Sequence, residues 1–483
     1  MGEELPKPTY RPPSVSPRQF IGGDGLFTLC SPLAAIAGAM NAADPRPPSD
    51  VSAGVGLSGL AGLFAWLLIC RNWPGIGDVF ALPGPRAPLS GEHAALAALL
   101  FSGTPMVLWS LLVDKVHLRP STGLDWRSPR PLAAVIDDAV TKIAGLWATW
   151  ALIGFAYCVA RWYWMGTYLF AMKVIGWAAL PMFVLSVPYV LWLDRFSINP
   201  RDGPWHFGAM LIGREPFEPA EVKAHWRSWL VKGFFCAFMI SILPPGWANI
   251  VMLDVSAIAG NPVLITHWLT ELLFLIDVQI AMVGYLVTMK PLDAQIRSAN
   301  PHLSAWVAAL ICYPPFILMI PNGPLDYHFG TADWAYWLDG HPLLLAAWGA
   351  ALVLLTGIYA WATLAFGLRF SNLTYRGVLT NGPYRWTRHP AYLSKNLFWW
   401  ASTLPFIVTT HNLNDAIRNT VVLGLVSAVY FWRAKTEEKH LLAEDAKYRE
   451  YHAWIERNPS ITRALGRLTG ALKPKNVALQ PAE

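Results

Sequence analysis

The chain has 483 residues, of which 54% are hydrophobic and 14% charged, with a formal net charge of +6. Soluble proteins carry about 25% charged residues, so this composition excludes an ordinary water-soluble domain and points to a lipid-facing surface. The basic residues cluster in particular loops, which argues for orientation in a membrane and against nucleic-acid binding.

In chain order, residues 1–25 are polar and proline-rich at the start, so they read as a cytoplasmic N-terminal segment with no cleavable signal peptide. Residues 26–40 form a short apolar stretch that either spans the membrane or lies at its surface. A span needs about 20 mostly apolar residues. Charge-free runs occur at 51–70, 94–113, 143–160, 174–193, 233–253, 303–320 and 342–368. The stretch 265–289 is long enough but holds Glu271 and Asp277. Two shorter runs, 396–410 and 419–432, flank the loop HNLNDAIR and read as a helical hairpin. The expected fold is therefore all-α and polytopic, with about ten spans and a C-terminal cytoplasmic helix.

Lysine and arginine alternate between the loops. There are five in 114–142, six in 194–232, five in 369–395 and ten from 433 onward, against none in 254–265 and 321–341. The positive-inside rule puts the basic loops and both termini in the cytoplasm. The lack of an evident retrieval signal favours a bacterial inner membrane. Within loop 194–232, EPAEVKAHWRSWLVKG reads either as an amphipathic surface helix or as a solvated connector. Residues 461–483 read as a flexible tail.

The five cysteines, Cys30, Cys70, Cys158, Cys236 and Cys312, lie singly in apolar stretches, so packing is their expected role and no metal site is expected. Asp277 and Glu271 are six residues apart and do not share a face. Asp277, nearer mid-span, either lines a lipid cavity and touches substrate or makes an interhelical polar contact.

Two blocks carry chemistry. In GLRFSNLTYRGVLTNGPYRWTRHPAYLSKNLFWW, Asn381-Gly382-Pro383 is a turn signal and Pro390 suits the first turn of a helix. Arg385, Arg388 and His389 then crowd the mouth of a span, and Tyr392 follows near the interface. In FWRAKTEEKHLLAEDAKYREYHAWI, Arg433 precedes the acidic pair Glu437 and Glu438, and Tyr448 and Tyr451 share a helix face. Paired carboxylates beneath a bilayer suit a cationic ligand.

Together the arrangement G-P-Y-R-x-x-R-H-P-x-Y, a hairpin, R-x-x-x-E-E-x-x-L and Y-x-x-Y resembles the isoprenylcysteine carboxyl methyltransferase family, to which membrane phospholipid methyltransferases are related. The resemblance covers about the last quarter of the chain, with 342–460 as the catalytic region and 26–341 as a multi-span region without an assigned role. It implies S-adenosylmethionine as cofactor, held by Gly382, Tyr384, His389, Pro390, Tyr392, Glu437 and Glu438. It implies that Arg388 helps place the substrate or cofactor carboxylate; if the attacking group is a carboxylate or phosphate, Arg388 or Arg385 is expected to orient it. It also implies a membrane lipid or lipid-linked acceptor.

Two departures stand out. LLAEDAKY lacks the family's Phe-Gly turn, so the acidic helix is expected to run on unbroken. Lys395-Asn396 replaces small residues; these side chains either contact a polar lipid headgroup or, for Lys395, snorkel to the interface. Two other functions stay open from the sequence: an NADPH-dependent enzyme of the sterol reductase type, and a lipid transporter with a vestigial motif.

Overall fold

The computed structural model describes residues 46–458 and 460–470. The 1–25 segment, the 26–40 candidate and the tail beyond 470 lie outside the described residues.

Among the described residues, seven helices are long and apolar enough to cross a membrane. They are α1 (Ala53–Arg71), α2 (Glu92–Leu108, extended by one wider turn to Val113), α3 (Ile136–Val159) and α4 (Tyr168–Phe196). Between α4 and the next span lies a shorter helix, α5 (Gly203–Ile212). The spans continue with α6 (Pro219–Met252), α7 (Pro262–Leu286) and, after a further short helix α8 (Leu303–Leu310), α9 (Pro342–Phe366). Helices dominate because hydrocarbon offers no partner for backbone N–H and C=O groups, which must be satisfied within the segment. Helices α6 and α7 are the most buried spans and α4 the least, so α6 and α7 form the centre of the bundle.

Glycines set the closest approaches. A Cβ on Gly56 of α1 would stand 2.2 Å from the Leu364 carbonyl oxygen of α9, and one on Gly208 of α5 would stand 1.9 Å from that of Thr141 on α3. The start of α1 therefore meets the end of α9. The end of α1 meets the end of α6, where Arg71 donates to the carbonyls of Ile250 and Leu253 at 2.6 and 2.7 Å. These contacts fix two ends of the bundle.

The basic loops gather at one of them. Lys142 pairs with Asp194 at 2.6 Å and Lys290 with Asp202 at 2.9 Å. Asp293 draws Arg297 and Arg369 at 3.1 and 2.5 Å, and Lys447 reaches Asp50 at 2.5 Å. Loops 114–142, 194–232, 289–302 and 369–395 thus share one end with the segment after 433. A two-residue antiparallel pairing, β1 (Ser298–Ala299) with β2 (Thr374–Tyr375), ties the ends of α7 and α9 together there.

Three expected spans take other forms. The run 303–320 is helical only over α8, then continues as turns. Pro314, Pro315, Pro321 and Pro324 remove donors and stop the helix. The irregular chain still travels from the basic end to the opposite end, and its backbone groups find partners in protein. The Asp326 carboxylate accepts from the amides of Asn322 and His328 at 2.8 and 2.9 Å, and Asn419 donates to the Phe329 carbonyl at 2.7 Å. The expected hairpin consists of α10 (Pro390–Thr403) and α11 (Leu413–Glu444). Helix α10 is 14 residues long, about 21 Å and less than a bilayer core, whereas α11 runs well past the bundle's basic end.

Two local expectations are corrected. EPAEVKAHWRSWLVKG is neither a separate surface helix nor a connector but the first turns of α6. The acidic helix does not run on: Asp445 adopts an extended conformation, ends α11 and caps α12 (Ala446–Arg457) by accepting from the Lys447 amide at 2.7 Å. A last amphipathic helix, α13 (Ile461–Gly470), follows.

Candidate functional site

The first block folds as its turn residues require. Gly382 takes a positive φ of 55°, opening the single turn Gly382–Arg385. His389 is the cap residue of α10 and Pro390 its first helical position. Helix α11 returns antiparallel and carries Arg433, Glu437, Glu438 and His440 beyond the basic end.

Adjacent residues on a helix point about 100° apart, and the acidic pair divides accordingly. The Tyr392 hydroxyl donates to the Glu437 carboxylate. Glu438 faces away, accepting from Arg388 Nε at 2.8 Å and lying 3.0 Å from His389 Nε2 and 2.8 Å from Lys435 Nζ. Burial opposes ionisation of Glu438, but His389, Lys435 and Arg388 outweigh it and hold the carboxyl well below its usual range. Arg388 also donates to Glu456 of α12 at 2.9 Å. The His389 ring stacks on Tyr392, with centroids 5.8 Å apart.

Arg433 is buried among three tyrosine rings: its guanidinium carbon lies 5.1, 5.3 and 5.6 Å from the centroids of Tyr392, Tyr430 and Tyr313. It donates to the Asn372 amide oxygen at 3.4 Å, and its Nε is buried without a partner. A buried cation with an unsatisfied donor is set up for an anionic group.

These side chains surround a cavity of about 500 Å³. It begins at the basic end, near Asn372, His440 and Tyr448, and runs inward to Ile242, Phe274 and Asp277. Asp277 lies nine residues before the end of α7, about 14 Å along the axis and so near mid-depth of a bilayer core. Size, apolar walls and a few converging polar groups are the usual attributes of a small-molecule site.

Of the residues singled out by sequence, Tyr384, Arg388, His389, Pro390, Tyr392, Lys395, Glu437 and Asp277 line the cavity. Four lie outside its wall. Gly382 shapes the preceding turn. Arg385 is exposed, its guanidinium 5.7 Å from the Trp386 ring, and is not positioned to orient a group in the cavity. Glu438 is occupied behind the wall by Arg388, His389 and Lys435. Asn396 donates to the Tyr392 carbonyl at 2.8 Å.

The structure adds Tyr313, Tyr359, Thr363, Asn372 and Tyr430 to the wall and gives Arg433 a central place. Thr363 and Tyr359 follow Thr356 and Leu352 along α9 in a stretch that sequence reads only as apolar. Tyr313 belongs to the irregular segment, whose fold the sequence did not announce.

The fold and cavity define a polytopic helical membrane protein with a mainly apolar chamber that carries a few converging polar groups and opens toward its basic end. Within that class, residues 344–455 match a family model described as "Protein of unknown function (DUF1295)". The matched segment takes in nearly all of α9, the two motif blocks and most of α12. No curated protein and no solved structure matches the chain.

Proposed function

We propose that the protein is an integral membrane methyltransferase that uses S-adenosylmethionine to methylate a lipid or lipid-linked acceptor. The observation that carries this reading is the pairing, in one cavity, of a carboxylate beneath the bilayer, Glu437, with a buried arginine whose Nε has no partner, Arg433. The donor set suits an amino-acid moiety: Glu437 would hold its ammonium group and Arg433 its carboxylate, while the stacked His389 and Tyr392 rings offer a flat face.

The bound cofactor supplies an electrophilic methyl group on a sulfonium centre. The chain's own contribution is to orient and to exclude water. Tyr392 holds Glu437 in place, and Arg388 is held by Glu438 and Glu456 at the cavity's edge. The apolar walls contributed by Phe238, Met239, Ile242 and Phe274 keep the inner chamber dry and offer a route for an acceptor from the bilayer.

In this reading the basic end faces the cytoplasm, by the positive-inside rule, and the chain crosses a bacterial inner membrane ten times with both termini cytoplasmic. Segment 303–341, α10 and α11 supply the crossings beyond the seven long helices. Calorimetry of the purified protein with S-adenosylhomocysteine and, separately, with NADPH tests the cofactor. Binding of the first and not the second is expected. Binding of NADPH alone would replace the reading with a reductase.

A further inference from the structure

The deep end of the cavity is polar at a level where the surrounding bilayer is not. Asp277 of α7 lines it, and Thr363 of α9 donates to its carboxylate. Lys395 of α10 reaches the same region. Its Nζ lies 5.1 Å from the ring centroid of Tyr359, 5.4 Å from that of Trp399 and 5.7 Å from that of Tyr430. Asp277 and Lys395 both line the cavity, yet among the described residues no ion pair joins them. A carboxylate and an ammonium therefore face one chamber without closing on each other.

That arrangement discriminates among ligands. The two charges sum to zero, so a ligand group bearing net charge would leave one buried charge uncompensated. A plain hydrocarbon chain would leave Lys395 without a hydrogen-bond acceptor and Asp277 with only its protein donors such as Thr363. A hydroxyl serves both, donating to the carboxylate while accepting from the ammonium. The neighbouring rings of Tyr359, Tyr430 and Phe274 would pack against the carbon skeleton that carries it.

We infer that the acceptor is an uncharged lipid alcohol whose hydroxyl bridges Asp277 and Lys395, a role that rests on reading this cavity as the acceptor's site. The two residues fix how deeply the lipid enters, and through that which of its atoms lies near Glu437 and Arg433.

The test uses the full chain in phosphatidylcholine nanodiscs and a chain-matched series: hexadecanol, hexadecane, hexadecylamine and palmitate. For the wild-type protein hexadecanol should bind roughly tenfold more tightly than the other three, the difference expected of hydrogen bonds to charged groups. Asp277→Leu and Lys395→Met should each abolish that preference. Equal affinity for hexadecanol and hexadecane, tighter binding of the amine or of palmitate, or a preference surviving both substitutions would overturn the inference. The wild-type series decides even where a variant does not fold. S-adenosylhomocysteine titrated into the same wild-type preparation separates the two readings. Its binding without an alcohol preference removes the hydroxyl subsite alone; an alcohol preference without its binding removes the methyltransferase and leaves the subsite.

Discussion

Arg388, in the loop before α10, donates its Nε to Glu438 of α11 at 2.8 Å and so joins two sequence blocks that are 50 positions apart. Both side chains are about 7% exposed. The same arginine reaches Glu456 of α12, so one guanidinium ties together the turn, the acidic helix and the helix after it. The pair positions the cavity wall.

Glu438→Gln should therefore destabilise the C-terminal region. Arg388, His389 and Lys435 would lose their carboxylate, a loss of roughly 1–3 kcal/mol, since each keeps some access to other partners or water. Thermal unfolding in detergent should show a lower Tm than wild type. An unchanged Tm would mean that the cluster contributes nothing to stability.

The same carboxylate predicts an acid response. Its folded value lies below the ordinary 4.5, so its contribution is fully present above about pH 4.5 and is lost as pH falls toward the folded value. The Tm gap between wild type and Glu438→Gln should be constant near neutrality and narrow below that point. A gap that widens on acidification contradicts the assignment.

Lys142 sits 2.6 Å from Asp194 and 3.3 Å from Asp202, and is itself buried. Lys142→Met would strand the buried Asp194 carboxylate, while Asp202 keeps Lys290, costing roughly 3–5 kcal/mol. Asp194→Leu in the same chain should recover part of that loss. Folded yield and Tm of the two single variants and the double variant measure it; a double loss equal to the sum of the two single losses would show that no coupling exists.

Gly208→Ala tests the packing of α5 on α3. The added methyl would stand 1.9 Å from the Thr141 carbonyl oxygen, an atom that cannot move aside as a side chain would. A loss of roughly 1–3 kcal/mol or more is expected, seen as a lower Tm. Gly176→Ala on α4, where a Cβ meets nothing within 4 Å, is the control and should be close to neutral.

Arg433→Gln should weaken S-adenosylhomocysteine binding by about tenfold or more, because a buried charge-assisted contact is exchanged for a neutral one. Unchanged affinity in a folded variant would remove Arg433 from the cofactor's contacts.

Much of this was legible in the sequence because the membrane imposes a single rule, a long apolar run for each spanning helix. The helices α1 to α4, α6, α7 and α9 follow from it. Loop charge anticipated that the basic segments share one end. Turn chemistry located the start of α10 at Pro390. The failures share a cause. Segment 303–320 is apolar enough to span, but its prolines break the helix, and only tertiary partners such as Asn419 make the irregular path tolerable. Asp445 ends a helix where a glycine was the expected signal, because an aspartate cap does the same work by a different bond. Asp277 and Lys395 were each noticed alone. Their shared cavity depends on how α7 and α10 pack against α9, which no local pattern encodes.

The central claim is methyl transfer to a lipid, and the most direct measurement is movement of a labelled methyl group. Purified protein in native lipid would be incubated with S-adenosylmethionine carrying a tritiated methyl, followed by extraction of the lipid fraction. Wild-type protein should transfer label into that fraction, and Glu437→Gln should reduce the transfer at least tenfold, as loss of a charged contact to the cofactor requires. Absence of label from the lipid extract, with folded wild-type protein in native membrane, would contradict the account.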